Sequence, residues 1–213
     1  MTLLSPDQFL TFLAAAMLIT ISPGPDNLMV LSFGISRGRR QGMVFGLGCA
    51  LGCLSHTLLA ALGVSALIAA SLWAFTALKV CGGLYLVWLG IQALKSRGSA
   101  FHANTQVAQS QDSLRALFVK GLVANAINPK VVLFFLAFLP QFVNTAQGGI
   151  AWQTAQLGLT FTVQAALLFG LLGYFSGHVG QVLVRSPKAG MWLDRVAGGI
   201  FVLLGLRLIT SKL

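Results

Sequence analysis

The sequence predicts an all-α integral membrane protein of six transmembrane helices, arranged as two inverted three-helix repeats, with helices 1 and 4 broken at proline motifs. Three observations predict it. Hydrophobic residues make up 56% of the 213-residue chain and charged residues only 8%, against about 25% charged in soluble domains; mean hydropathy is +0.84. The apolar residues lie in long runs parted by short basic or polar segments, which favours spanning helices over the alternating strands of a barrel. Two of those runs, one in each half, are interrupted by proline at corresponding places.

The first run, about 8–36, contains Ser22-Pro23-Gly24-Pro25-Asp26-Asn27. Two prolines within three residues cannot continue a regular helix, because each lacks an N–H and clashes with the preceding turn. Freed backbone groups at membrane depth survive only where protein or a watery cavity satisfies them. Arg37, Arg39 and Arg40 close this span, and Gly42 opens a second reaching about residue 70. Glycines 42, 46, 48 and 52 allow close helix approach. The third span covers about 75–94 and stops at Lys95 and Arg97; residues 96–112 are polar without apolar period and read as a cytoplasmic linker. The fourth, about 114–142, is interrupted at Asn128-Pro129. The fifth covers about 152–183 as one helix, and the sixth about 191–209 after a basic turn at Arg185 and Lys188. The chain thus divides into a repeat over 1–95, the linker 96–112 and a second repeat over 113–213.

Loops one, three and five carry Arg37, Arg39, Arg40, Lys95, Arg97, Arg115, Arg185 and Lys188, whereas loops two and four carry no Lys or Arg. The positive-inside rule therefore makes the odd loops cytoplasmic and both termini periplasmic, although Arg207 and Lys212 pull weakly the other way. No cleavable signal is expected, since the first apolar run is too long and lacks a basic start. Lys79-x-x-Gly82-Gly83-x-Tyr85 in span three matches Arg195-x-x-Gly198-Gly199-x-Phe201 in span six, and Pro25-Asp26 matches Pro129-Lys130. Three spans per repeat is an odd number, so the second copy is upside down. Inverted repeats with matching broken helices point to a secondary transporter with a midplane site. Asp26 lies 11 residues before Arg37 and Lys130 lies 11 before Gln141. At a rise of 1.5 Å per residue each is about 16 Å from its surface, near the middle of a core about 30 Å thick.

These residues also carry a family resemblance. Ser22-Pro-Gly-Pro-Asp-Asn27, Asn125-Ala-Ile-Asn-Pro-Lys130 and Lys79-x-x-Gly82-Gly83-x-Tyr85-Leu86 resemble the LysE/RhtB amino-acid exporters over nearly the whole chain. The resemblance implies a bacterial inner-membrane permease exporting amino acids such as homoserine, threonine, leucine, cysteine or basic residues, with the proton as coupling ion. It implies no cofactor, no catalytic residues and no bound metal. The expected partners are an amino-acid substrate, the proton and the lipid bilayer, with a homodimer left open.

Physical chemistry points to the same substrate class. A zwitterion needs a negative partner for its ammonium and a positive one for its carboxylate; Asp26 supplies the first, and Lys130 or the N-terminus of a half-helix the second. The competing reading is that the two charges only neutralise one another. Pro23, Gly24, Pro25, Asp26, Asn27, Asn125, Asn128, Pro129 and Lys130 are thus the substrate-binding or gating candidates. Asn125 and Asn128 either face the cavity or cap the broken ends. His56 is either a proton relay or a core histidine on a carbonyl. Tyr85 and Gln164 are weaker candidates, as interhelical hydrogen-bonding groups or ligands. Lys79 and Arg195, near span ends, are expected to snorkel. The three cysteines, Cys49, Cys53 and Cys81, read as small core residues.

Other classes fit less well. The net charge of +10 does not form one basic face, which argues against nucleic acid. A thiol carrier needs a cysteine at each break, and neither has one. A divalent-metal exporter, or another small-solute exporter of the same fold, is the alternative, but the three histidines (56, 102 and 178) are dispersed and no acidic cluster accompanies them. Ser55 and His56 are no hydrolase pair, because adjacent helix positions point apart. The charge pattern makes a direct prediction: a reporter active only in the periplasm will be silent when fused after Arg40, Ser99 or Lys188 and active after Ser71 or Gly148, and the reverse pattern would overturn the orientation.

Overall fold

In a computed structural model, residues 4–64, 71–96, 112–144, 147–185 and 187–210 are described. The described residues are helical with no strand. Helix α1 (Pro6–Ile21) starts at a capping box: the Ser5 hydroxyl accepts the Gln8 N–H, Gln8 Oε1 accepts the Ser5 N–H, and Pro6 occupies the first turn. It stops at Ser22, and α2 (Pro25–Arg37) resumes at an angle of 56°. Helix α3 (Arg39–Leu59) widens into a π turn over Ala60–Val64, and α4 runs Leu72–Lys95. Helix α5 (Leu114–Ala126) breaks at Ile127-Asn128 and resumes at 49° as α6 (Pro129–Leu133), which continues through a π turn (Phe134–Phe138) into a 3₁₀ turn (Leu139–Phe142). The remaining helices are α7 (Ile150–Tyr174), α8 (Ser176–Arg185) and α9 (Pro187–Thr210).

Three helices, Arg39–Gly63, Trp73–Lys95 and Ile150–Tyr174, are long and apolar enough to cross a membrane, and the two bent pairs reach that standard when each is taken as one span. Helix α9 has the length but carries Lys188, Asp194, Arg195 and Arg207. Exposed Trp73, Trp88, Leu62, Leu167, Trp192 and Leu203 on several helices fit an apolar surrounding. Phe12, Phe134, Phe135, Phe138, Phe142 and Phe161 form a linked ring cluster in the core, with centroid separations of 5.0–6.0 Å.

Several expectations change. The fifth run is not one helix: Gly173, Ser176 and Gly177 are poor helix formers, the Ser176 hydroxyl turns back to the Gly173 carbonyl at 2.8 Å, and the chain turns at Phe175. Lys79 does not snorkel but is buried, whereas Arg195 is exposed. Cys49 and Cys53 are buried as expected, but Cys81 faces outward. The second run is helical to Val64; its remainder and residues 97–111 of the linker lie outside the described residues.

The most extensive helix pairings are α4 with α9, and α3 with both α5 and α7. Glycine sets their distance. A Cβ on Gly48 would fall on the Phe118 carbonyl, and one on Gly121 on the Phe45 carbonyl. Between α4 and α9 the contacts are reciprocal: a Cβ on Gly83 or Gly90 would lie 2.9 or 2.7 Å from the carbonyl of Gly205 or Gly198, and the converse distances are 2.6 and 2.7 Å. Polar contacts define two ends of the bundle. At one end Asp112 accepts Lys120 at 2.8 Å and lies 3.7 Å from Arg37, tying the end of loop three to loop one. Ser96 donates to Asp194 at 2.5 Å, tying the end of α4 to α9. At the other end Gln153, fully buried, accepts from Gln8 Nε2 and from the Asn144 N–H at 2.9 Å each and donates to the carbonyls of Asn144 and Gly148. Gln8 also donates to the Phe142 carbonyl.

The crossing geometry yields a stability prediction. Gly48→Ala should destabilise the protein by about 1–3 kcal/mol, because the new methyl meets backbone that cannot swing aside. Gly170→Ala, where nothing lies within 4 Å, should be neutral or slightly stabilising. Thermal unfolding of both purified variants in detergent checks the contrast; equal behaviour would contradict the packing account.

Candidate functional site

An N–H at residue 23 would bond the Ile19 carbonyl in a continuous helix, but Pro23 has none. The last carbonyls of α1 are therefore in want of donors, and side chains supply them. Lys130 Nζ donates to the carbonyls of Ile19 at 3.1 Å and Ser22 at 2.9 Å. Asn27 Nδ2 reaches back to the Thr20 carbonyl at 2.8 Å. Ser22 closes the end with its N–H and hydroxyl both on the Leu18 carbonyl. A Cβ on Gly24 would come 2.7 Å from Lys130 Nζ and 3.2 Å from Cε, so only glycine leaves room for this side chain.

The second break repeats the theme. Pro129 offers no N–H to the Asn125 carbonyl, which instead takes the Asn128 N–H at 2.9 Å and lies 3.1 Å from His56 Nε2. A carbonyl only accepts, so this nitrogen carries the hydrogen. The Asn125 amide donates to Asp26 Oδ2 at 2.7 Å, while its Oδ1 accepts the Cys53 thiol at 3.4 Å. Gly52 leaves space for Asn125, since a Cβ there would lie 2.9 Å from Asn125 Cβ and Oδ1. Asn128 caps α6, its Oδ1 accepting the Lys130 N–H at 3.1 Å. Each residue following a first-turn proline, Asp26 or Lys130, thus reaches to the other break.

Asp26 and Lys130 are 3% and 6% exposed. No ion pair within 4.0 Å joins them: each is held by neutral partners. Both line one enclosed cavity with Ile19, Thr20, Asn27, Asn125, Val131, Phe134, Phe161 and Phe169. Its volume, about 10 Å³, is that of a single water site.

Of the sequence candidates, the structure brings Asp26, Asn27, Asn125 and Lys130 to the cavity wall. His56 lies behind Asn125 with its Nε2 on that residue's backbone carbonyl, and Asn128 serves as a cap. Gln164 is buried and donates to the Thr20 hydroxyl at 2.8 Å. Tyr85 is elsewhere, against Trp88 at a centroid distance of 5.6 Å. Sequence reasoning missed Thr20, Phe161 and Phe169. Thr20 had a usable signal, a polar residue in the last turn before the break. Among the described residues no group of three or more His, Cys, Asp or Glu could hold a metal ion.

The LysE type translocator family profile matches residues 17–212. The chain is 32% identical over 206 residues to an uncharacterized membrane protein of Vibrio cholerae, covering 96% of this chain and 97% of that one. It is 32% identical over 214 residues to the threonine efflux protein of Escherichia coli K12, covering 96% and 98% respectively. Identity to the homoserine/homoserine lactone efflux protein of Salmonella typhimurium is 30% over 206 residues, covering 97% and 98%. No solved structure matches the chain.

The bonding pattern predicts coupling between the breaks. Asn125→Leu removes a hydrogen bond to a charged group and should cost about 1.5–3 kcal/mol. In an Asp26→Asn background the same change should cost measurably less, and equal thermal shifts in the two backgrounds would show that the amide does not support the carboxylate.

Proposed function

The chain belongs to the LysE type translocator family, and on that premise we propose that it exports an amino acid across the bacterial inner membrane. The carrying observation is that two buried, oppositely charged side chains, one from each broken helix, face the same enclosed cavity without bonding to each other. An entering amino acid exchanges its ammonium for the Asn125 amide on Asp26 and its carboxylate for the helix-end carbonyls on Lys130. Pro23, Gly24, Pro25 and Pro129 keep those ends open, and Asn27, Asn125 and Asn128 hold them in place. The efflux relatives named above support the substrate class.

The proposed architecture is six spans in two inverted repeats, with α1–α2 and α5–α6 as the broken spans. The reciprocal glycine contacts of α4 and α9 support it: they relate Gly83 to Gly198 and Gly90 to Gly205, as a two-fold axis in the membrane plane requires. That register differs by one residue from the Gly82–Gly198 match of the sequence motif. Loops one and three, tied through Asp112, and loop five form the proposed cytoplasmic face, where Asp194 of α9 also holds Ser96 at the end of α4. The export cycle is proton-coupled in this reading, with His56 as relay: it lies behind Asn125, the residue whose amide holds Asp26.

Efflux from preloaded cells, screened across the amino acids with and without a protonophore, tests this directly; no expression-dependent efflux of any amino acid would refute it. Asp26→Asn still accepts from Asn125, so membrane abundance should stay near wild type while export falls about 100-fold, the scale of losing one partner of a buried charge contact. Lys130→Met should lower both. Normal export by Asp26→Asn would remove the carboxylate from the site.

A further inference from the structure

A second and larger cavity, about 420 Å³, lies where the α2–α3 corner meets the junction of α7 and α8. Arg39, Tyr174, Phe175 and His178, all exposed, form part of its lining. Close packing fixes its floor: a Cβ on Gly34 would fall on the Ser176 side chain, and one on Gly173 would lie 2.5 Å from the Met43 nitrogen. The Arg39 guanidinium sits over the Tyr174 ring, 5.0 Å from its centroid, and Phe175 meets that ring edge-on at 4.9 Å. No carboxylate competes for this cation. The chain has four acidic residues: Asp26 is at the midplane cavity, Asp112 takes Arg37 and Lys120, Asp194 takes Ser96, and Asp7 is in the first turn of α1. Depth follows from helix rise. Tyr174 lies ten residues beyond Gln164, which donates to the cavity-lining Thr20. Ten residues of helix are about 15 Å, so the larger cavity is at the edge of a hydrocarbon core about 30 Å thick. Between the two levels, Leu159, Val163, Leu167 and Leu171 recur every fourth residue on α7 and are 51–64% exposed. An outward apolar stripe thus leads into a cationic, aromatic cavity at the level of the membrane interface.

We propose that this cavity binds the phosphate of an anionic phospholipid, with an acyl chain lying along the α7 stripe. Arg39 offers its planar fork of donors to the phosphate oxygens, and the His178 ring adds a further donor. Tyr174 holds the guanidinium in place, which lowers the entropy lost when the phosphate arrives. Both halves of the ligand are needed to account for the site. A soluble anion would use the cations but leave the stripe without a role. A zwitterionic lipid brings its own cation beside Arg39, where like charges repel. Basic pockets between helices on the cytoplasmic side suit anionic headgroups, because that leaflet carries the negative surface potential, and Arg39 belongs to loop one of the face proposed as cytoplasmic. The bound headgroup bridges the end of the first broken span to the turn at Phe175. The amino-acid export reading does not enter this inference, so either can fail without the other.

The test is lipid binding by the purified full chain in detergent, read by native mass spectrometry and by thermal unfolding. The probes are phosphatidylglycerol, phosphatidylcholine with the same acyl chains, and inorganic phosphate. Wild type should bind one phosphatidylglycerol at least about tenfold more tightly than phosphatidylcholine, the scale of charge-assisted hydrogen bonds to one phosphate. Arg39→Ala should weaken phosphatidylglycerol binding about thirtyfold, and Tyr174→Leu, which keeps apolar bulk but removes the ring face, about threefold. Arg40→Ala removes the same charge from a residue outside the cavity lining. It should cost no more than about fivefold, the worth of one basic residue near an anionic surface. Equal losses for Arg39→Ala and Arg40→Ala would reduce the binding to general surface attraction and overturn the proposal. Inorganic phosphate stabilising the protein as much as phosphatidylglycerol does, in an Arg39-dependent way, would make the ligand a soluble anion and also overturn it. The comparison of the two lipids on wild type needs no variant: equal affinities would overturn the proposal whether or not the substituted proteins fold.

Discussion

The structure depends on satisfying the helix end that Pro23 creates. A carbonyl deprived of its donor at membrane depth must find another, and here the donor is an ammonium from the far side of the sequence. Lys130 comes from a second helix that is itself interrupted, so satisfying one break requires the other to lie beside it. The arrangement is reciprocal, because the last turn before the second break sends Asn125 back to Asp26. Gly24 and Gly52 follow as consequences: each stands where a side chain would displace one of the two bridging residues. The negative end of the α1 dipole also offsets part of the cost of burying a positive charge, and the N-terminal position of Asp26 in α2 does the same for the negative one.

Both charges are buried, yet neither is the other's direct partner. A lone charge at the bilayer centre costs at least about 2.5–3.5 kcal/mol on insertion scales, and carbonyls and an amide meet that cost here with dipoles. For a carrier this has an advantage over an ion pair. A salt bridge in a dry core is hard to part, since removing one partner strands the other. Under the proposed function, dipolar partners leave each charge with attraction to spare for a zwitterion, while Asp26 and Lys130 keep their hydrogen bonds when the site is empty.

The breaks, the close-packed glycines of α3 and the buried charges were legible because proline chemistry, small residues and an ionisable group in an apolar run are each local signals. What escaped the sequence depends on tertiary partners. Nothing local distinguishes Lys79, which is buried, from Arg195, which is exposed, although both open the same motif. Asp26 and Lys130 look like an ion pair in sequence because the competing acceptors, the carbonyls of Ile19 and Ser22, are backbone atoms that no residue code displays. Thr20 becomes conspicuous only when Gln164, 144 positions away, turns out to hold its oxygen. The turn at Phe175 was hidden inside a continuous apolar run, where hydropathy outweighed the weak helix propensity of Gly173, Ser176 and Gly177.

The two ends of the cavity are closed by different chemistry, and that asymmetry bears on how the protein opens. Towards the Gln153 end lie the phenylalanine cluster and a polar clasp in which one amide holds α1, the segment after α6 and the start of α7 together. Ring contacts are apolar, and the Gln153 bonds can each be replaced by water once the clasp parts, so separation there costs mainly apolar exposure. Towards the other end, α2, α3, α7 and α8 meet through glycine at near backbone distance, as where a Cβ on Gly42 would lie 2.9 Å from Gly34 Cα. Such surfaces slide as rigid bodies more readily than they deform. The bends at the two prolines fall between these closures, where the helical ladder is already interrupted. Motion of either half-helix about its break therefore severs no regular helix hydrogen bond, and the groups it would carry past the cavity, Asp26 and Lys130, are the ones whose partners a substrate replaces under the proposed function.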